Sequence, residues 1–402
     1  MTRDVKLILL GRGVRGFAQG SISVLIAIYL HLLGFSTVQI GLFISAGVAG
    51  AALASLVVVL LAESLGRRRL MVTFASMTAV AALVLTTSDS APFLILVALL
   101  GNFSAAGGAG AGPVQPLEQA ALADTVPPEK RTDLYAVYGI TGVGGASLGA
   151  LAAGMPLIYQ RVLGLSEVGS YKVVFVTFAV LVALAAACYG FLSPSVEAES
   201  RSGRWVNPFQ LPSRRVIFTL SALFSVDNFA GGLVVQSLVS LWFYTRFFFG
   251  SSLMSAISQL VAAWLGNRFG LINTMVFTHI LSNLIMMSVP FMPNVWLAAG
   301  FWLVRGFFGT MDVPVRQSYT MAVVGPGERS AMAGMNTLGR SVMGTVSPSV
   351  ATVLWSLGLA GLPFVASGGL KIVYDLALYF LFRNVKPEVE ARGEEVAQGQ
   401  PR

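Results

Sequence analysis

The chain has 402 residues, of which 55% are hydrophobic and 11% charged, and a formal net charge of +8. A soluble domain carries about 25% charged residues, so composition excludes an ordinary soluble enzyme and places the chain in a lipid bilayer. The single cysteine, Cys188, excludes an internal disulfide or a cysteine-based metal cluster, and an inert buried thiol is expected there.

Apolar runs predict transmembrane helices over residues 6–33, 37–62, 68–88, 91–122, 132–157, 171–193, 216–245, 247–266, 270–289, 294–322, 330–357 and 361–384. Each is long enough to cross a hydrocarbon layer of about 30 Å. No alternating pattern of membrane strands is present, so helices must satisfy the backbone in lipid. The start, "MTRDVKLILLGRGVRG", reads as a retained first helix, because Arg12 and Arg15 interrupt the apolar stretch a leader would need. "GRGVRG" fits a dinucleotide-binding glycine pattern, but no strand precedes it. Its glycines are expected to let helices approach closely, as are Gly145 and Gly149 in the fifth span.

Lysines and arginines cluster on the side of the N-terminus, for example at Arg3, Lys6, Arg67, Arg68, Arg69, Arg214 and Arg215. Only Arg161, Lys172 and Arg246 fall on the other side. This bias puts both termini in the cytoplasm of a multi-pass plasma (inner) membrane protein. Basicity therefore reports topology, and no nucleic-acid partner is expected.

A polar loop at 193–215 lies halfway along the chain. It divides a first six-helix bundle, 1–192, from a second, 216–385, and 386–402 forms a polar cytoplasmic tail. The halves repeat one another. "VRGFAQG" (14–20) matches "VDNFAGG" (226–232), "ESLGRRR" (63–69) matches "NRFGLIN" (267–273), and "PLEQAALADTVPPEKR" (116–131) matches "PVRQSYTMAVVGPGER" (314–329). Three matches in the same order argue for an internal duplication. The second half is shorter around "FYTRFFFGSS", so the span at 247–266 is the least regular.

Two six-helix halves with a charged Gly-Arg turn after the second helix resemble the major facilitator superfamily of transporters. In "VLLAESLGRRR", Glu63, Gly66, Arg68 and Arg69 match that family's loop signature, while Val59 and Ser64 depart from it. Asn267, Arg268 and Gly270 stand in the second copy. "NTMVFTH" and "MDVPVRQSYTMAVV" are similar to a poorly characterised prokaryotic branch of the superfamily. The resemblance implies an all-α fold of twelve transmembrane helices in two pseudo-symmetric bundles, and a gating role for the signature residues. The arginines also serve as topology anchors.

An ionisable group at mid-membrane costs at least about 2.5 kcal/mol, so each should face protein or water. Arg12, Arg15, Glu118, Asp227, Arg305, Asp312, Arg316 and Arg340 all lie within predicted spans. In the repeat, Arg15 is equivalent to Asp227 and Glu118 to Arg316, with signs exchanged. If the first and fourth helices are neighbours, as the resemblance implies, Arg15 meets Glu118 and Asp227 meets Arg316. Asp312 and Arg316 also share a helical face around Pro314. Gln317 and Tyr319 add hydrogen-bonding groups there, as Gln115 and Gln119 do beside Pro113 and Pro116. Lys371 and Asp375, one turn apart, are expected to form a structural pair within the last helix. His31 and His279 are expected to be structural and to bind no metal.

These residues predict a substrate and proton pathway in a transporter of a small organic solute. The excess of arginine over carboxylate favours an anionic or zwitterionic solute. Export coupled to protons, a monomer and no cofactor are expected. No nucleophile, metal cluster or catalytic acid–base pair is visible, so no enzyme activity is expected. A lipid scramblase or a non-transporting receptor of the same fold is the alternative reading.

Overall fold

The computed structural model describes residues 2–101, 112–125, 131–196, 214–247, 271–309 and 329–382. Among them every regular element is a helix, so this is an all-α membrane protein. Among the described residues, six stretches are long and apolar enough to cross a bilayer: Arg3–Leu32, Thr37–Val58, Val137–Leu163, Glu167–Gly190, Arg214–Phe243 and Leu362–Leu381. The span expected at 247–266 lies outside the described residues.

The chain forms two compact units. One comprises Met1–Ser202, Val234–Ala263 and Thr345–Ala360, the other Gly203–Leu233, Trp264–Gly344 and Gly361–Arg402, each taken over its described residues. The first is organised around α1, Arg3–Leu32. Thr2 caps this helix, accepting from the Val5 amide at 3.4 Å, and Asp4 complements its positive end. From Gly20 to Leu30 every α1 residue is buried, which makes it the centre of the unit rather than a lipid-facing wall.

Seven further helices follow in the first unit: α2 (Thr37–Leu65), α3 (Arg67–Val84), α4 (Ala91–Leu100), α5 (Val114–Thr125), α6 (Arg131–Ala152), α7 (Met155–Leu163) and α8 (Glu167–Gly190). Ser36 and Gln39 form a reciprocal capping box at the start of α2, at 2.8 and 3.3 Å. Between α2 and α3 the chain turns on Gly66 at a φ of 86°, which disfavours any residue with a Cβ.

The fold interrupts three of the predicted spans. The fifth ends at Ala152 and restarts as α7 because Pro156 cannot continue the ladder of the preceding turn. The seventh splits after Gly231 and Gly232 into α9 (Arg214–Gly232) and α10 (Gln236–Phe247). In the fourth, α5 begins only after Gly112 and Pro113, with Gly112 at a φ of 131°. Gly and Pro are the weakest continuers of a helix, and here they set its boundaries.

In the first unit α1 packs on α6 and α8, α3 on α8, and α2 on α4. Small residues bring α1 and α6 close together. A Cβ at Gly20 would strike the Ala146 carbonyl, and one at Gly149 would strike the carbonyl of Phe17. In a bilayer, where lipid is as apolar as leucine, such backbone contact is a main source of helix association. Gly149→Leu is therefore expected to cost about 3 kcal/mol or more by forcing the helices apart. Gly144→Leu, with nothing within 4 Å, should be silent. Melting temperature and the monodisperse fraction in detergent check both.

The second unit contains α9, α11 (Leu271–Ser288), α12 (Val295–Gly309), the first part of α13 (Arg329–Ser356) and α14 (Leu362–Phe382). There α14 packs on α9 and α11, and α11 on α12. Ser367 in α14 donates to the Ala230 carbonyl of α9 at 2.6 Å, and Phe224 of α9 lies 6.3 Å from the ring of Tyr374.

Candidate functional site

In the first unit, α1 presents Arg12 and Arg15 to α5, α6 and α8. Arg15 Nη2 lies 2.6 Å from Glu118 Oε2, so the structure brings together the pair that the family resemblance implied. Glu118 has no solvent exposure. Its Oε2 also accepts from the Tyr138 hydroxyl at 2.5 Å, and its Oε1 from Tyr189 at 2.5 Å. Three donors on one buried carboxylate make a charge-assisted site.

Arg12 is placed differently. It is 4% exposed, and its guanidinium lies over the Tyr138 ring at 4.7 Å. Its Nε makes no hydrogen bond, and no ion pair joins it to a carboxylate among the described residues. The face that receives it is flat because position 142 is glycine; a Cβ there would overlap the Arg12 Nε and Nη2.

Tyr138 and Tyr189 were not singled out from the sequence. Tyr138 shares a face of α6 with Gly142, Gly145 and Gly149, and that spacing is a usable signal for a residue turned toward α1. Tyr189 carries no comparable signal.

The signature turn ties helix ends together. Arg68 Nη1 donates to the Leu192 carbonyl past the end of α8, at 3.0 Å. Asp4, also missed from the sequence, accepts from the Ser193 amide at 3.0 Å and its hydroxyl at 2.5 Å, pinning the start of α1 to the same place. Arg69 is exposed. The side chain of Glu63, and Asn267, Arg268 and Gly270 of the second copy, lie outside the described residues.

In the second unit Asp227 receives the Lys371 ammonium of α14 at 2.5 Å. Arg316, its expected partner, lies outside the described residues, as do Asp312, Gln317 and Tyr319. The expected pairing of Lys371 with Asp375 is not formed. Lys371 reaches across to α9, while Asp375 takes His279 Nδ1 of α11 at 2.8 and 3.0 Å and Asn283 Nδ2 at 3.3 Å. His279 therefore has a carboxylate in contact. The correction has a geometric cause: residues one turn apart share a face, but a longer reach to a neighbouring helix competes with that pairing.

Arg305 stacks on Trp302 at 4.3 Å and its carbonyl accepts from Ser282 at 3.0 Å. The Arg340 carbonyl accepts from Asn228 Nδ2. Gln119 is half-buried beside Glu118 on α5. His31 is exposed at the end of α1. Among the described residues no group of three or more His, Cys, Asp or Glu side chains is placed to hold a metal ion.

Comparisons with known proteins agree with this architecture. A family model described as Major Facilitator Superfamily matches residues 8–252 and 237–401. A Saccharomyces cerevisiae protein, the uncharacterized membrane protein YJR124C, is 24% identical over 97% of the chain and 96% of its own length. The likeness thus extends to a eukaryotic protein. Among solved structures, a bacterial homolog of the human lysosomal transporter Spinster, in an inward-facing and occupied conformation, superposes with a TM-score of 0.71 at 14% identity. That match covers 94% of this chain and 95% of the other. A variant of the nucleoside transporter NupG gives 0.69 at 16% identity, covering 95% and 100%. The xylose transporter XylE from E. coli gives 0.69 at 11% identity, covering 93% and 94%.

Proposed function

The chain belongs to the major facilitator superfamily, and from that membership we propose that it is a secondary active transporter of a small organic solute, anionic or zwitterionic, working by alternating access. Midplane polar groups at a repeat interface are where transporters of this kind bind their solutes. The pathway we assign runs past Arg15, Glu118, Gln119 and Asp227, and past Asp312, Arg316, Gln317, Tyr319, Arg305 and Arg340. Export coupled to protons, in a plasma membrane with both termini cytoplasmic, is the proposed mode, and the monomer is the working form.

The observation that carries the solute class is Arg12. Glu118 already serves Arg15 and two tyrosines, so the cluster holds one more fixed cation than carboxylates. A buried charge is costly unless paired. A carboxylate or phosphate of the solute completes the set, and guanidinium matches either one bidentately.

Thermal stability of the detergent-purified protein tests this reading against organic anions, lipophilic cations and neutral sugars. A ligand at 100 times its Kd stabilises by about 2.7 kcal/mol. Organic anions should raise the melting temperature of the parent and leave Arg12→Gln unmoved. Stabilisation by cations alone, or an unchanged response in Arg12→Gln, would remove Arg12 from recognition.

A further inference from the structure

Three helices of the second unit, α9, α11 and α14, enclose two sets of polar contacts, of which the anion reading uses only Asp227. Asp375 in α14 is fully buried, and His279, Asp227 and Lys371 are 5%, 6% and 8% exposed. Among the described residues, the groups bonded to the Asp375 carboxylate are the His279 imidazole and the Asn283 amide. Neither brings a fixed positive charge. The lysine one turn away on the same helix is held 2.5 Å from Asp227 instead.

A buried carboxylate facing a neutral imidazole and an amide keeps an uncompensated charge, which is costly in an apolar interior. One proton on the imidazole or the carboxyl removes it. Should the proton leave, the nearest fixed cation able to replace it is Lys371, which lies four residues before Asp375 on the same face of α14. Its ammonium would then swing from Asp227 to Asp375 by rotation of its own side chain.

We propose that His279 and Asp375 hold one exchangeable proton, and that its release transfers the Lys371 ammonium from Asp227 to Asp375. The proton is the ligand of the site, and Lys371 converts its loss into a change of partner for α9. The balance is this: one proton departs to water, one lysine contact breaks at Asp227 and one forms at Asp375, and the charge left over passes from the fully buried Asp375 to Asp227, which is 6% exposed. This rests on the transport reading, and it puts the coupling proton on α11 and α14 rather than on Glu118.

The other charged and titratable groups around the pair come from each packed element. Asp227 stands on α9, and Lys371 and Tyr374 stand on α14, with the Tyr374 ring 6.4 Å from the imidazole. Arg305 stands on α12, stacked against Trp302. On α13, Arg340 offers its backbone carbonyl to Asn228 of α9. Asp312 and Arg316 lie outside the described residues.

The chain has only two histidines, so the site can be read directly. Protein labelled with 15N in the imidazole is reconstituted in nanodiscs and followed by solid-state NMR from about pH 5 to about pH 9, a window that brackets the ordinary imidazole range. Comparison with His31→Gln assigns the His279 signal, and the infrared carboxyl stretch, compared with Asp375→Asn, reports the other half of the pair. One reversible protonation step of the pair is expected in the parent. In Asp227→Asn, Lys371 is released to Asp375, so the pair should lack its proton where the parent holds it.

If Asp227→Asn does not yield folded protein, Lys371→Gln replaces it. With no ammonium to take over, the pair should then keep its proton to the top of the range. A pair whose charge state is constant across that window would overturn the exchangeable proton. Titration of the Asp227→Asn protein, or of Lys371→Gln, as in the parent would overturn the lysine transfer. No solute is needed, so either failure leaves the response of Arg12 to anions standing, and the reverse holds too.

Discussion

Glu118→Ala is expected to destabilise the folded protein by about 3–5 kcal/mol, the cost of stranding a buried charge. The substitution leaves the Arg15 guanidinium without its acceptor at 2.6 Å, and leaves the hydroxyls of Tyr138 and Tyr189 without theirs. Each orphaned hydroxyl adds about 1–3 kcal/mol of desolvation cost. Arg15→Met combined with Glu118→Leu should recover the part due to the stranded guanidinium, because a buried ion pair replaced whole by apolar groups is often neutral, while the two hydroxyls stay without their acceptor. Chemical or thermal unfolding of the two proteins in detergent makes the comparison. A loss under about 1 kcal/mol in Glu118→Ala would mean that water or another acceptor serves Arg15.

Joining Ser45→Cys to Ser349→Cys by a disulfide, in a Cys188→Ala background, is expected to abolish solute exchange. In the first unit the start of α2 meets the last turns of α13. The Ser45 and Ser349 hydroxyls lie 2.8 Å apart, and a Cβ at Gly41 would overlap the Thr352 side chain. The α10 helix packs on α1 within the same unit. Elements from both sequence halves therefore close on one another at the end of α1 opposite its N-terminus. In an alternating-access cycle this seam must part for solute to reach that side. Two serine oxygens at hydrogen-bond distance are near enough for a disulfide after small adjustment. The measurement is uptake into proteoliposomes of whichever anion stabilises the parent protein, before and after reduction. Full exchange through a quantitatively crosslinked protein would show that the seam never opens.

A physical difference separates what could be read in the sequence from what could not. Length and apolarity of a run are properties of short segments, so the apolar spans among the described residues were legible one helix at a time. The Arg15–Glu118 pairing needed the family resemblance as well, because the neighbour relation of the first and fourth predicted helices is not local. Gly66 was legible as a turn, and its φ of 86° gives the reason.

Other features depended on how whole helices turn about their axes. Asp4 reaches Ser193 across most of the first sequence half, and Tyr189 joins Glu118 from α8. Nothing in their own segments marks either residue. Lys371 shows the limit most plainly: the sequence offers it Asp375 one turn away, and the rotation of α14 against α9 and α11 gives it Asp227 instead. A side chain as long as lysine reaches several carboxylates at nearly equal cost. Which one it takes was settled by the packing of the neighbouring helices, a tertiary property that no local pattern contains.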